Sequence, residues 1–175
     1  MSWSAGGDRR AFDEIVTRHG PFALRVAARL LPDAALAEDV VQEALVQVWS
    51  AARRFDPQRG RFTTWLYRVV VNRCISERRR RQPGPLPEDF DAADCAAGPY
   101  EAVEVNERHA VLAAALEALP VHQRAAVTLV YDEGLSGAEA ARILGLSAKA
   151  VERLLARARQ SLRDRLEPER ARKES

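Results

Sequence analysis

Little in this chain could perform covalent or metal chemistry. Its 175 residues include two cysteines, three histidines and one methionine. Cys74 falls in a helical pattern, Cys95 in a proline-rich stretch, and His19, His109 and His122 stand apart, so no metal-ligand spacing exists. Without a disulfide framework, the expected compartment is a reducing cytoplasm. There is no glycine-rich phosphate loop and no carboxylate cluster, which leaves an enzyme such as a nuclease nothing to work with. Neither a catalytic residue nor a cofactor is expected. No apolar run approaches membrane-spanning length, and the opening MSWSAGGDRR has no apolar signal-peptide core. Aromatics are only 6% of the chain. Alanine and aliphatic residues recur at helical spacing and no segment reads as a strand, which predicts an all-α protein.

Net charge is also small, at +2, yet the charges are segregated. Arg53 to Arg81 holds ten arginines against Asp56 and Glu77, and Arg142 to Arg165 holds seven basic residues against Glu152 and Asp164. Acid gathers at Asp33 to Glu43 and at Glu88 to Glu107. This distribution suggests two basic faces and at least one acidic docking face.

The most informative segment is LSGAEAARILGLSAKAVERLLARARQSLR, Leu135 to Arg163. Ser136 and Glu139 form an S-x-x-E capping box that starts a helix. Gly145 suits the left-handed stop, and Ser147 suits the N-cap of the next helix. Ala140, Ala141, Leu144, Leu146, Val151 and Leu154 supply the inner lining of two helices crossing steeply. Lys149, Arg153, Arg157 and Arg159 are left outward, where they suit phosphates and guanine edges. This is the pattern of a helix-turn-helix.

Upstream, three helical patterns run from about Arg9 to Leu31, Ala34 to Arg54 and Thr63 to Arg81. Gly20-Pro21 is expected to kink the first, and Pro32-Asp33 to end it. The second buries Leu36, Val40, Val41, Ala44, Leu45, Val48 and Trp49, and turns Glu38, Asp39, Gln42, Glu43 and Gln47 outward. The third buries Leu66, Val69, Val70 and Cys74. It leaves Trp65, Arg68, Asn72, Arg73 and the run Arg78 to Arg81 to a partner. Residues from Gln82 to Pro99 carry four prolines, two glycines, four acids and no base, which reads as a linker. Beyond it, helices are expected from Tyr100 to Leu119 and, with Pro120 in the first turn, from there to Asp132. The charged tail from Glu167 is expected to fray. The division is thus 1–81, a flexible acidic linker at 82–100, and 101–175: two small helical domains, the second with the helix-turn-helix.

Three strings in this order resemble the sigma factors of bacterial RNA polymerase, of the extracytoplasmic-function (ECF) type. AEDVVQEALVQVW (Ala37 to Trp49) resembles the family's core-binding helix. RFTTWLYRVVVNRCISERRRR (Arg61 to Arg81) resembles its strand-opening, −10-reading helix. LPVHQRAAVTLVYDEGLSGAEAARILGLSAKAVERLLARARQSLR (Leu119 to Arg163) resembles its −35-reading region. The likeness covers nearly the whole chain. It implies that Asp39, Gln42 and Glu43 dock on core polymerase (the β′ subunit there, with β also a partner). It implies −10 contacts from Arg61, Thr64, Trp65, Arg68, Asn72 and Arg73, and −35 contacts from Lys149, Glu152, Arg153, Ala156 and Arg157, with Arg142 and Arg159 on phosphates. It further implies promoter DNA and an anti-sigma factor as partners. Glu152 departs from the basic or polar residue frequent in the family.

From the residues alone, Trp65 beside threonines and arginines suits base stacking, with the Phe55 to Phe62 loop and Asn72 as a pocket for an extruded base. It equally suits a core position. Arg78 to Arg81 equally suits a solvated helix end, and Asp39, Gln42 and Glu43 an ordinary exposed face. A stand-alone helix-turn-helix regulator would account for Leu135 to Arg163. It would not account for the second basic helix or the linker.

Overall fold

The computed structural model describes residues 9–52, 55, 56, 58, 60–81 and 107–173; the linker expected at 82–100 lies outside them. All described elements are helical. In order they are α1 (Arg9–Leu30), α2 (Ala34–Ala51), α3 (Phe62–Arg81), α4 (Glu107–Glu117), α5 (Val121–Val127), α6 (Gly137–Leu144) and α7 (Ala148–Lys173). A π-helical turn, Thr128–Asp132, continues α5.

The N-terminal module is a three-helix bundle in which each helix buries one stripe. Ile15, Ala23, Val26, Ala27 and Leu30 come from α1, Val40, Val41, Ala44, Leu45 and Val48 from α2, and Leu66, Val70, Val71, Cys74 and Ile75 from α3. Helix α1 runs through Gly20 and Pro21 without a break. Proline there removes one backbone donor, and the burial of Ala23, Val26 and Leu30 beyond it keeps the helix in place. Asp33, read from sequence only as a stop, is the N-cap of α2. Its carboxylate accepts from the amides of Ala35 (2.8 Å) and Leu36 (3.2 Å), and such a cap is worth about 1 kcal/mol.

In the C-terminal module Pro120 is the N-cap of α5, one residue earlier than expected. The π turn ends at Glu133, and Gly134 takes a positive φ of 67°. The helix-turn-helix then forms as its sequence dictates. Ser136 and Glu139 complete the capping box, Gly145 is left-handed at φ 69°, and the Ser147 hydroxyl accepts from the Ala150 amide at 3.1 Å. Ala140, Ala141, Val151 and Leu154 are buried. So is Ile143, which the sequence reading passed over. Helix α7 continues to Lys173, through most of the tail expected to fray.

The two modules pack against each other. Helix α3 lies on α6, α1 lies on α5 and the π turn, and one apolar core joins Ile15 and Val26 to Leu129 and Leu154. Arginines fasten the seam. Arg25 clamps the carboxylate of Glu133 with two bonds of 2.8 and 3.0 Å, and Arg29 stands 3.7 Å from Asp132. Arg78 donates to the Leu30 carbonyl at the end of α1 (2.9 Å) and to the Glu117 carbonyl at the end of α4 (3.1 Å). Arg79 donates to His122 Nε2 at 2.9 Å. The expectation that Arg78 to Arg81 is open to a partner is therefore corrected for Arg78 and Arg79 alone, Arg80 and Arg81 being exposed. Two of these side chains hold the modules together, and Arg80 and Arg81 pair with Glu77.

Candidate nucleic-acid interface

Three surfaces carry the candidate residues. On α2, Asp39, Gln42 and Glu43 are all exposed. Their i, i+3, i+4 spacing places them on one stripe. The same stripe continues to Val46, 62% exposed, an apolar side chain amid acids and glutamines that the sequence reading missed. Its signal was available: Val46 sits three residues after Glu43, out of step with the buried Leu45 and Val48. Glu43 is also ion-paired with Arg73 of α3 at 2.8 Å, and Arg73 Nε donates to Gln47 at 3.4 Å.

On α3 the expected −10 residues divide. Arg61, Thr64, Trp65 and Arg68 line one wall of a cleft of about 840 Å³. Asn72, one turn further, is exposed and outside the lining, and Arg73 turns to α2. Trp65 is half-buried in a three-ring cluster, its centroid 5.4 Å from Phe55 and 5.6 Å from Phe62. The core reading of Trp65 holds in part, since the ring packs on the core while also lining the cleft. The opposite wall belongs to α6 and its turn: Ala141, Arg142, Gly145 and Leu146. Arg142, expected beside the α7 cations, stands in this wall. The Arg68 guanidinium lies 3.0 Å from where a side chain on Gly145 would begin, against the negative end of α6.

On α7, Lys149, Glu152, Arg153, Ala156 and Arg157 are exposed. Their spacing forms a single stripe beginning in the first turn, open to solvent along its length. Arg159 is exposed off that stripe, its Nε donating to the Leu155 carbonyl at 3.3 Å. Ser147 caps the helix while leaving this face clear.

The described residues hold no group of histidines, cysteines and carboxylates suited to a metal. Cys74 is buried, and burial pushes its thiol up to about 12, so it stays protonated and inert. No described helix is long and apolar enough to cross a membrane.

A helical protein with an exposed acidic stripe, an arginine-and-tryptophan helix and a capped helix-turn-helix has the features of a DNA-binding protein. Comparison with known proteins defines it further. Residues 15–83 match Sigma-70 region 2, and residues 109–162 match Sigma-70, region 4. The chain is 36% identical to the RNA polymerase sigma factor CnrH of Cupriavidus metallidurans, covering 91% of this chain and 88% of that protein. It is 35% identical to the ECF RNA polymerase sigma factor SigM of Mycobacterium tuberculosis, over 89% of this chain and 77% of the relative. Identity to the ECF sigma factor SigE of Mycolicibacterium smegmatis is 36%, over 94% of this chain and 66% of the relative's length. CnrH, solved in complex with the cytosolic domain of CnrY, superposes with a TM-score of 0.68 at 31% identity, covering 94% of this chain and 92% of that one. The sigma factor RpoE of Bartonella quintana, solved with the anti-sigma factor NepR, shares the fold at a TM-score of 0.65 and 23% identity, over 90% and 98% of the two chains. The chain belongs to the ECF family of RNA polymerase sigma factors. Members of this family are non-catalytic subunits that bring core polymerase to promoters.

Proposed function

We propose that the chain initiates transcription as a dissociable, non-enzymatic subunit working in the cytoplasm, with its labour divided among three helices. The Asp39, Gln42 and Glu43 stripe on α2 docks on the β′ subunit of core polymerase, and Val46 adds an apolar anchor. Helix α3 captures the −10 strand, with Trp65 stacking on a base while Arg61 and Arg68 hold the backbone. Thr64 and Asn72 flank the base. Arg73, tied to Glu43, couples the core-docking face to this helix. The first turns of α7 enter the major groove at the −35 element. There Arg153 and Arg157 face guanines, Glu152 meets a cytosine amino group or orients an arginine, Ala156 packs, and Lys149 and Arg159 contact phosphates. Arg142 joins the phosphate contacts once α6 leaves α3.

One observation carries this reading. A solvent-open stripe of cations starts in the first turn of the helix-turn-helix's second helix, in a chain that also presents an aromatic-and-arginine wall on α3. A stand-alone regulator would leave the α2 and α3 faces without use.

The working units are residues 1–81, 82–100 and 101–175. In this reading the packed arrangement, in which α6 forms the opposite wall of the Trp65 cleft, is the resting state, and capture of a promoter strand parts the modules. The solved relative CnrH, bound to the cytosolic domain of CnrY, supports an anti-sigma partner here that stabilises such a resting state. Reconstituted transcription with core polymerase and candidate promoters tests the whole assignment. Core-dependent initiation is the expected result, and footprinting of duplex DNA by the chain alone would favour the regulator instead.

A further inference from the structure

We infer that the cleft between α3 and α6 binds a free nucleotide, the base stacked on Trp65 and the phosphates held by Arg61, Arg68 and Arg142. The cleft volume, about 840 Å³, falls within the range of small-ligand pockets. Its chemistry is divided as a nucleotide's is. One part of the lining is aromatic, with Phe55 and Trp65 5.4 Å apart; Trp65 is half-buried, and the part of its ring that lines the cleft suits any base. The remainder carries three guanidiniums, two on the α3 side and one on α6. Among the described residues none of the three is in a salt bridge. Guanidiniums gathered on one cleft repel, and an anion held among them relieves that repulsion through bidentate bonds.

The neighbouring carboxylates do not fill this role. Asp56 lines the cleft but accepts from the Gln58 amide at 2.9 Å, within its own loop. Glu139 lies near enough to feel Arg142 and Arg61, yet its carboxylate bonds the Ser136 hydroxyl (2.7 Å) and amide (2.9 Å).

Because the lining comes from both modules, such a ligand binds the packed state and not the parted one. By linkage it stabilises closure and opposes capture of the −10 strand. The inference rests on the proposed function only in this last step.

Calorimetric titration of the full chain with guanosine diphosphate, adenosine diphosphate and inorganic pyrophosphate tests it. The expected result is saturable micromolar binding of at least one nucleoside diphosphate, with pyrophosphate weaker by about tenfold or more because it cannot stack. Arg142→Ala, an exposed position that should fold normally, should lose about tenfold in affinity. Amides of α6 and its turn should gain hydrogen-exchange protection on binding, a readout that needs no variant. Pyrophosphate binding as tightly as the nucleotides would reveal an adventitious anion site only and overturn the inference. So would no binding at millimolar nucleotide, full affinity in Arg142→Ala, or unchanged exchange in α6. None of these results touches core binding or promoter opening, which the polymerase assay reads separately.

Discussion

Arg73 of α3 and Glu43 of α2 meet at 2.8 Å, so a residue of the candidate DNA helix and one of the candidate polymerase-docking stripe share one ion pair. Glu43 is largely open to solvent at 63% side-chain exposure, and Arg73 is partly so at 38%. An exposed pair contributes about 0.2–1 kcal/mol to stability, too little to explain the fold. Its position offers a better account, since polymerase binding at Glu43 would release or redirect Arg73.

Reversing charge at Asp39 and Glu43 together should therefore weaken core binding while helix content stays unchanged, because both side chains point outward. Arg73→Ala should cost less than about 1 kcal/mol in unfolding yet alter promoter opening by the assembled enzyme. A competition assay with a reference sigma factor reads the first effect. Unaltered core affinity in the double reversal would sink the docking assignment.

Trp65→Ala should impair promoter opening more than closed-complex formation, since stacking is worth about 1–3 kcal/mol per base. The ring also packs on Phe55 and Phe62, so the same change should cost about 1–3 kcal/mol of stability, somewhat below a fully buried truncation. Trp65→Phe separates the roles by restoring much of both packing and stacking. Permanganate reactivity of −10 thymines is the readout. Normal opening by a folded Trp65→Ala protein would show that the ring serves the core alone.

At the −35 element, Arg157→Ala should relax preference at one base pair at a cost of about 1–3 kcal/mol, whereas Lys149→Ala should weaken all sequences alike and flatten the salt dependence. A panel of −35 variants transcribed at two ionic strengths distinguishes these outcomes. Equal losses from every variant in Arg157→Ala would remove its base-reading role.

The seam should loosen in acid. His122 accepts a bond from Arg79, which requires neutral imidazole, and burial first, then the Arg79 charge, holds its titration below the ordinary 6.5. His19 is lowered too, by burial and then Arg18. As pH falls through 6.5 the unfolded chain takes up protons before the folded one does. Stability is thus fully present above that value and declines below it. Thermal unfolding from about pH 7.5 to about pH 5 should show the decline, and His122→Gln, which keeps an acceptor, should make the slope shallower. An unchanged slope in that variant would locate the effect elsewhere.

Gly145→Val should destabilise by more than about 1 kcal/mol, since the left-handed conformation is costly for a β-branched residue. The new side chain would also meet Arg68. Differential scanning fluorimetry of the single variant and of Gly145→Val with Arg68→Ala resolves the two contributions. The double variant should recover part of the loss, and an unrecovered one would assign the whole cost to the backbone.

The helices and caps were legible because their signals are local. Ser136, Glu139, Gly145 and Ser147 each act on backbone groups within a few residues, and the apolar stripes need only periodicity. The α7 stripe was legible for the same reason. What sequence could not show was anything depending on which helix lies beside which. Arg78 and Arg79 read as free cations, yet their partners, the Leu30 and Glu117 carbonyls and His122, lie far along the chain. Arg142 read as a companion of the α7 cations because the α3–α6 packing has no local signature. Asp33 read as a stop because the end of α1 at Leu30 and the cap of α2 at Asp33 share one short turn.

The Arg68 side chain is seated against Gly145. If it is to hold a promoter strand, as in the proposed function, it must first leave its place against α6. Each increment of resting stability therefore subtracts from apparent promoter affinity, which is the intrinsic affinity scaled by the open fraction. Under the proposed function the closed packing thus lowers affinity for every promoter by one common factor, and the choice among promoters stays with the base contacts.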